Sequence, residues 1–390
     1  MTAETQQFIS EHANDDVQKL ALQANRFPQI DMSFALRQIS GRQKIRNKVP
    51  LFYQNNDILY PPQLSLEQAS SELTALYKST LCEGENFVDL TGGFGIDSYF
   101  MSRNFKQAIY VERSSELCDI AALNFKTLFA NNINIENAAC EDFLSTDFVA
   151  DVFFIDPARR NLSGNKVVFL SDCEPNVVEL SEKLMQKADK VLVKTSPMLD
   201  ITSALRDLPV TKEVHIVSVD NECKEILLVL SKGISKNIKI KTINIQKTHH
   251  QLFDYYQNEE NDASIEYCTE IKRYLYEPNS SIMKSGAFKL IAKRFNLIKL
   301  HKNTHLYTSD ELISDFPGRI FEIKTVSGST KQDFKRLNLQ ISKANIAVRN
   351  YPITVDEFRK KSGIRDGGDI YIFACKICDD FNAIIVCSKK

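Results

Sequence analysis

The sequence predicts an α/β protein: a doubly wound, mainly parallel sheet, preceded by a helical segment and followed by a smaller α+β region. Three observations predict it. Strand and helix patterns alternate from residue 87 to residue 230, which is the βα rhythm of a parallel sheet. Residues 152–155 (Val-Phe-Phe-Ile) are apolar without alternation, as in a strand covered by helices on both faces. Beyond residue 232 the rhythm changes to half-exposed strands and short helices around a second core.

Residues 1–80 form the predicted helical N-terminal segment. Apolar residues recur at helical spacing over 8–22, 32–39 and 66–78, interrupted by Pro28, Pro50, Pro61 and Pro62. Ser65, with Gln68 three residues on, reads as a capping box. Arg37, Arg42, Lys44, Arg46 and Lys48 form a patch with no acid between Asp31 and Asp57, suited either to phosphates or to a solvated face. Strands are then predicted at 87–90, 108–111, 133–138, 152–155 and 190–194, with helices after the first (to about 105), the second (about 114–130), the fourth (about 176–187) and the fifth (from 201). Two further strands, 213–219 and 225–230, are joined by a short polar link and so pair antiparallel. This sheet domain is predicted to span 81–233.

The back half reads as a half-exposed strand (238–245), a polar acidic loop (257–264), a strand (266–276) and a helix (281–295). The last seventy residues run strand, helix, strand, helix and a final hairpin about Asp379-Asp380. The predicted boundaries there are 234–318 and 319–390.

Net charge is -1, yet residues 1–230 hold 22 basic against 32 acidic side chains, and residues 231–390 hold 27 against 18. An acidic front half and a basic back half suit a catalytic domain joined to a polyanion-binding appendage. No apolar run approaches the roughly 20 residues of a membrane helix. Nine scattered cysteines lack a disulfide framework, which suits a reduced, cytoplasmic setting. Cys375-x-x-Cys378 has no second pair, so no metal site is expected.

The strand ends carry the chemistry. Asp89 closes the first strand and enters Thr91-Gly92-Gly93-Phe94-Gly95-Ile96-Asp97, a glycine-rich turn before a helix. At the carboxyl end of the first strand of an open α/β sheet such a turn meets a ligand. Glu112 ends the second strand, 23 residues after Asp89, where a carboxylate accepts hydrogen bonds from two ribose hydroxyls. Asp142 follows the third strand and is a candidate partner for an adenine amino group. Asp156-Pro157 ends the fourth, facing the transfer site. Singly, each acid reads as well as a helix cap or a surface charge; four at successive strand ends read as one pocket. Neither a Gly-x-Gly-x-x-Gly nor a glycine-lysine phosphate loop occurs, so a cofactor without phosphates fits better than a dinucleotide.

Residues 89–97, the acid after the second strand and Asp-Pro after the fourth resemble the class I S-adenosylmethionine-dependent methyltransferases, with their Rossmann-like, seven-stranded sheet. The resemblance implies S-adenosylmethionine as cofactor, held by Asp89, Thr91, Gly92, Gly93, Gly95, Asp97, Glu112 and Asp142. Residues 91–97 and Ile-Asp-Pro-Ala-Arg-Arg (155–160) are most similar to RNA guanine methylases of exocyclic amines, including cap-hypermethylating relatives. Residues 66–72 and 363–369 resemble a bacterial group that joins such a domain to a ferredoxin-like insert and a THUMP-like domain. The implied partner is RNA, tRNA or rRNA, with Asp156 and the Pro157 carbonyl accepting hydrogen bonds from a substrate amine. Amine-methylating relatives usually read Asp-Pro-Pro-aromatic. Here Asp156-Pro157-Ala158-Arg159 stands instead, so Arg159 and Arg160 either hold a phosphate or stack on a base, or pair with Asp172 or Glu174.

In the back half, Lys284, Lys289, Lys293, Arg294, Lys299 and Lys302 fall in a stretch without an acid, with His301, His305 and Tyr307 nearby. Basic residues interleaved with aromatics suit RNA; a solvated helix face is the other reading.

Overall fold

The computed structural model describes residues 2–159, 169–378 and 381–390. The Arg159 side chain, Arg160 and the Asp379-Asp380 turn lie outside the described residues. The chain folds as two compact units, one running to Val214 and including Lys224–Lys236, the other comprising His215–Cys223 and Asn237–Lys390.

The first unit is built on seven strands. They are β1 (Gly84–Asp89), β2 (Phe105–Val111), β3 (Ile133–Glu136), β4 (Ala150–Ile155), β5 (Ala188–Thr195), β6 (Thr211–Val219) and β7 (Glu222–Ser231). His215–Cys223, which hold the second part of β6 and the turn into β7, belong to the second unit. The strand order is β6–β7–β5–β4–β1–β2–β3. β1 to β5 run parallel, and β7 pairs antiparallel with β5. β1 lies between β2 and β4, so the order reverses there, and a crevice opens beyond its carboxyl end. Burial explains the unbroken apolar run of β4: Val152, Phe153, Phe154 and Ile155 are all at most 2 % exposed.

Short helices precede the sheet: α1 (Ala3–Glu11), α2 (Val17–Leu22), α3 (Met32–Ile45), α4 (Pro50–Gln54), α5 (Gln63–Gln68) and α6 (Glu72–Ser79); α7 (Ile96–Ser102), α8 (Ser115–Thr127), α9 (Cys140–Phe143), α10 (Val177–Lys187) and α11 (Ile201–Asp207) lie between its strands. The preceding helices share a core with the sheet layer. Ile45, Phe52, Tyr60, Leu66 and Ala75 pack with Phe94, Tyr99, Tyr110 and Phe125. α5 starts two residues before Ser65 and lacks a side-chain cap, so Ser65 caps nothing. The N-terminal basic patch is largely spent within the unit. Arg37 pairs with Glu116 at 2.6 Å and Lys44 with Glu67 at 3.1 Å. Arg42 lies over the Tyr53 ring, and Lys48 Nζ donates to the Leu66 and Glu67 carbonyls at 2.8 and 2.9 Å.

Within the second unit, β8 (Lys239–Ile245) and β9 (His250–Tyr256) form an antiparallel hairpin followed by α12 (Gln257–Asp262), where a loop was expected. The helix expected over 281–295 is two, α13 (Ser280–Ser285) and α14 (Phe288–Arg294). Gly286, at φ +80°, ends the first. The strand expected over 266–276 shrinks to β10 (Tyr274–Pro278). An unanticipated hairpin, β11 (Ile298–His301) and β12 (Thr304–Ser309), occupies part of the basic stretch.

With β13 (Gly318–Ser327), β14 (Asn345–Arg349), β15 (Ile370–Lys376) and β16 (Asn382–Lys389), these strands make a sheet in the order β11–β12–β10–β13–β16–β15–β14. Alternation along β15 divides the core. Phe373 and Cys375 face Leu275, Leu300 and Phe321, whereas Ile372 and Ala374 pack with Phe334, Leu337 and Phe358 of α15 (Lys331–Gln340) and α16 (Val355–Ser362).

Candidate active site

The glycine turn between β1 and α7 (Ile96–Ser102) is forced by its neighbours. A Cβ on Gly92 would lie 2.2 Å from the Tyr110 ring, and one on Gly95 2.9 Å from Phe125 Cζ. Gly93 and Gly95 have φ of +54° and +82°, the left-handed region that suits glycine. The Tyr110 hydroxyl donates to Gly93 O at 2.6 Å. Gly93 N–H donates to Glu112 Oε2 at 3.0 Å, and Ser114 N–H to Glu112 Oε1 at 2.9 Å. Both Glu112 oxygens are thereby oriented, and each keeps a lone pair. Asp89 is buried and accepts from Thr91 N–H at 3.0 Å and from Ser98 Oγ at 2.5 Å. Burial pushes its carboxyl up to about 7, against the opposing effect of those two hydrogen bonds.

Below the turn lies a buried charge network. Lys78, in α6 and 0 % exposed, donates to both oxygens of Glu225 at 2.7 and 2.8 Å and to Ser70 Oγ at 3.0 Å. It also sits 3.1 Å from Asp97 Oδ1, and Asp97 Oδ2 accepts from Ser70 Oγ at 2.6 Å. At the end of β5, Lys194 forms an ion pair with Asp156 Oδ2; the lysine is 11 % exposed and the aspartate 31 %. Burial alone would lower the Lys194 ammonium, but Asp156, Asp97 and Glu225 outweigh it and raise it well above its ordinary value. The Asp156 N–H donates to Thr91 Oγ1 at 2.7 Å, which ties the end of β4 to the glycine turn.

Beside this network lies one cavity of about 790 Å³, which Ser70, Asp97, Asp156 and Lys194 line and Lys78 and Glu225 do not. Asp89, Thr91, Gly92, Gly93, Gly95, Asp97, Glu112, Asp156 and Pro157 all face it. Asp142 does not: it is exposed on the four-residue helix Cys140–Phe143, and its neighbour Glu141 lines the wall instead. Adjacent helical residues point about 100° apart, so only one of the two acids can turn inward. Gln68, Ser70, Arg113, Glu141, Lys194 and Lys224 are among the other polar residues that line it.

The six basic residues of the back half separate. Lys293 and Lys302 are exposed. Lys289 Nζ donates to Asn261 O at 3.0 Å, and Arg294 pairs with Glu259 at 2.8 Å while lying over the Phe253 ring. Lys284 is half-buried. Lys299 cannot reach a phosphate. It is buried, its Nζ donates to the carbonyls of His301, Lys302 and Thr304 at 2.6–3.0 Å, and burial lowers it to about 8. The strand β11, which the sequence reading lacked, turns it inward. Among the described residues no cluster could hold a metal ion, and no helix is long and apolar enough to cross a membrane.

Strand order, glycine turn and strand-end acids together define a class I methyltransferase fold. Residues 274–317 match the model of a ferredoxin-like domain, and residues 318–389 that of a THUMP domain-like family. The structure is similar to that of a candidate methyltransferase from Porphyromonas gingivalis W83, at 31% identity and a TM-score of 0.89, covering 99% of this chain and 97% of that one. The chain belongs to the same family as that protein: a class I methyltransferase fold with a C-terminal THUMP-like domain. Two slighter likenesses carry no weight. A candidate RNA methyltransferase of Pyrococcus horikoshii has 17% identity and a TM-score of 0.33, over 45% of this chain and 92% of that one. An rRNA methylase of Streptococcus thermophilus has 13% and 0.31, over 41% and 94%. Comparison with curated proteins gives no significant match.

Proposed function

We propose that this protein is an S-adenosylmethionine-dependent methyltransferase acting on an exocyclic amine of a base in structured RNA, tRNA or rRNA. One observation carries the reading: Asp89, Glu112 and Asp156, from three separate βα crossovers, line the same cavity as the glycine turn. The residues present fit the cofactor. Glu112 offers two oriented oxygens to a ribose diol. Gly93 has open space at its Cβ position, with nothing nearer than 3.8 Å, so the backbone allows close approach. Asp89, Asp97 and Asp156 suit a ligand carrying positive charge.

A bound S-adenosylmethionine supplies the methyl group: the amine lone pair forms the N–C bond, the S–C electron pair leaves on sulfur, and one amine proton passes to solvent. The chain's own residues position the amine. Asp156 accepts a hydrogen bond from it, which orients the lone pair, and the Pro157 carbonyl is the second acceptor. Held in line, the amine reacts as if at greatly raised concentration. The THUMP-like match and the basic back half support RNA as the partner; Lys293 and Lys302 are exposed, and so is Arg294, which is paired with Glu259.

Calorimetry with S-adenosylhomocysteine tests the cofactor. Wild type binds, and Gly93→Arg, whose side chain enters the cavity, does not; no binding by wild type, or equal binding by both, refutes the reading. Methyl transfer into total RNA, wild type against Asp156→Ala, followed by nucleoside mass spectrometry, tests the substrate.

A further inference from the structure

The Lys194 ammonium carries three N–H donors, and its one hydrogen-bond acceptor among the described residues is Asp156 Oδ2. The other carboxylates near it are already engaged. Glu225 receives Lys78 on both oxygens, and Asp97 accepts from Ser70 on Oδ2, while its Oδ1 lies 3.1 Å from Lys78 in an ion pair and accepts no hydrogen bond among the described residues. Lys194 is therefore more than the counter-ion of the buried network, which Lys78 already serves. It lines the cavity beside Asp156, nearly buried, with two donors to spare. Asp156 is the mirror case: Oδ2 takes the lysine, while Oδ1 accepts no hydrogen bond among the described residues, on a side chain that also lines the cavity. The transfer face thus presents an acceptor and a charged donor side by side.

Resting on the methyltransferase reading above, we propose that Lys194 is a specificity residue that reads the atom next to the methylated amine. The adjacent pair Asp156 Oδ1 and Lys194 Nζ is complementary to an amine bonded to a carbon that also bears an unprotonated ring nitrogen. That is the amidine edge of cytosine (N4 and N3), adenine (N6 and N1) or guanine (N2 and N3). It is not complementary to the N1–H and N2–H₂ edge of guanine, where Lys194 would meet a donor. Uracil, which has no exocyclic amine, is excluded. A hydrogen bond from a charged donor in a nearly buried site distinguishes the presence from the absence of its acceptor by about ten- to a hundredfold.

The test removes the ring nitrogen and the lysine separately. The full-length protein is given total RNA and tritiated S-adenosylmethionine, and the methylated nucleotide is mapped. The same RNA is then prepared with the deaza analogue at that nucleotide, in which carbon replaces the neighbouring ring nitrogen. Wild type shows a KM about ten- to a hundredfold higher on the deaza RNA. Lys194→Met shows the raised KM on the natural RNA and no further rise on the analogue, while Lys194→Arg, which keeps a charged donor, restores discrimination. Affinity for S-adenosylhomocysteine stays within about threefold throughout, which checks that each variant is folded. Discrimination retained by Lys194→Met, or no discrimination by wild type, overturns the inference and leaves the methyltransferase reading standing. A wild type that binds S-adenosylhomocysteine but labels no RNA overturns the RNA reading and this inference with it.

Discussion

Lys78→Met is the most demanding perturbation the structure offers. Lys78 is wholly buried, and its ammonium touches both oxygens of Glu225 and one of Asp97. Methionine fills similar space but leaves two carboxylates in the interior with Ser70 as the nearest remaining donor to Asp97. Removing one member of a buried pair costs about 3–5 kcal/mol, most of it the desolvation of the stranded charge. In a unit of this size each kcal/mol moves the midpoint by roughly 2–4 °C, so Tm falls by roughly 6–20 °C. Replacing both partners, as in Lys78→Met with Glu225→Leu, removes the stranded glutamate and recovers much of the loss. Urea denaturation and calorimetry on the four proteins of the cycle measure the coupling. A single-variant loss under about 1 kcal/mol, or additivity within about 0.5 kcal/mol, would refute the argument that this lysine holds the pocket floor together.

Three further outcomes follow from the geometry. Asp89 is raised from 3.8 to about 7 by burial, so the folded state holds its proton more tightly than the unfolded chain. Its contribution to stability is lost as pH climbs from about 4 to 7, by about 4 kcal/mol at most; subtracting the urea stability of Asp89→Asn from that of wild type at pH 5 and pH 8 gives a difference that shrinks with pH, and a difference that grows would contradict the assignment. Gly95→Ala places a side chain at φ +82° and against Phe125, costing roughly 1–2 kcal/mol for the left-handed backbone alone, and calorimetry shows S-adenosylhomocysteine affinity falling with it. Lys293→Glu with Lys302→Glu weakens retention of bulk tRNA on filters and flattens its salt dependence by about one unit of slope or more, whereas Lys299→Met lowers the urea midpoint because three carbonyls lose their donor.

The parts of this molecule legible in the sequence are those written locally. The strand-end acids and the glycine turn each lie within a few residues, and each follows from strand period or backbone sterics. Gly286 is also local, yet apolar spacing continues across it, and spacing alone predicts one helix where there are two. The buried network was illegible for a different reason: Lys78 and Glu225 are 147 residues apart, and a lysine on an amphipathic helix looks like any solvated charge until the partner strand is placed beside it. Lys299 misled in the same way, since basic composition alone cannot tell a carbonyl-capping ammonium from a phosphate contact. Glu141 and Asp142 show the limit of resolution, for adjacent acids after a strand differ only in the phase of a one-turn helix.

The cofactor face and the acceptor face are one mechanical piece, and Thr91 is where this can be tried. Its Oγ1 accepts the Asp156 N–H, and Lys194 holds the carboxylate of the same residue. The end of β4 is therefore pinned at backbone and side chain by two neighbouring strand ends. Thr91→Val keeps the shape and removes the acceptor, leaving a half-buried N–H unpaired at about 1–3 kcal/mol. Release of that peptide lets Asp156 swing about its lysine, and the acceptor for the amine loses its fixed bearing. The expected signature is a kcat for methyl transfer reduced about tenfold or more, a larger loss than in S-adenosylhomocysteine affinity, because Gly93, Glu112 and Asp89 are held by other bonds. Equal losses in both would mean that the threonine serves the cofactor directly, and that the two faces are not linked through it.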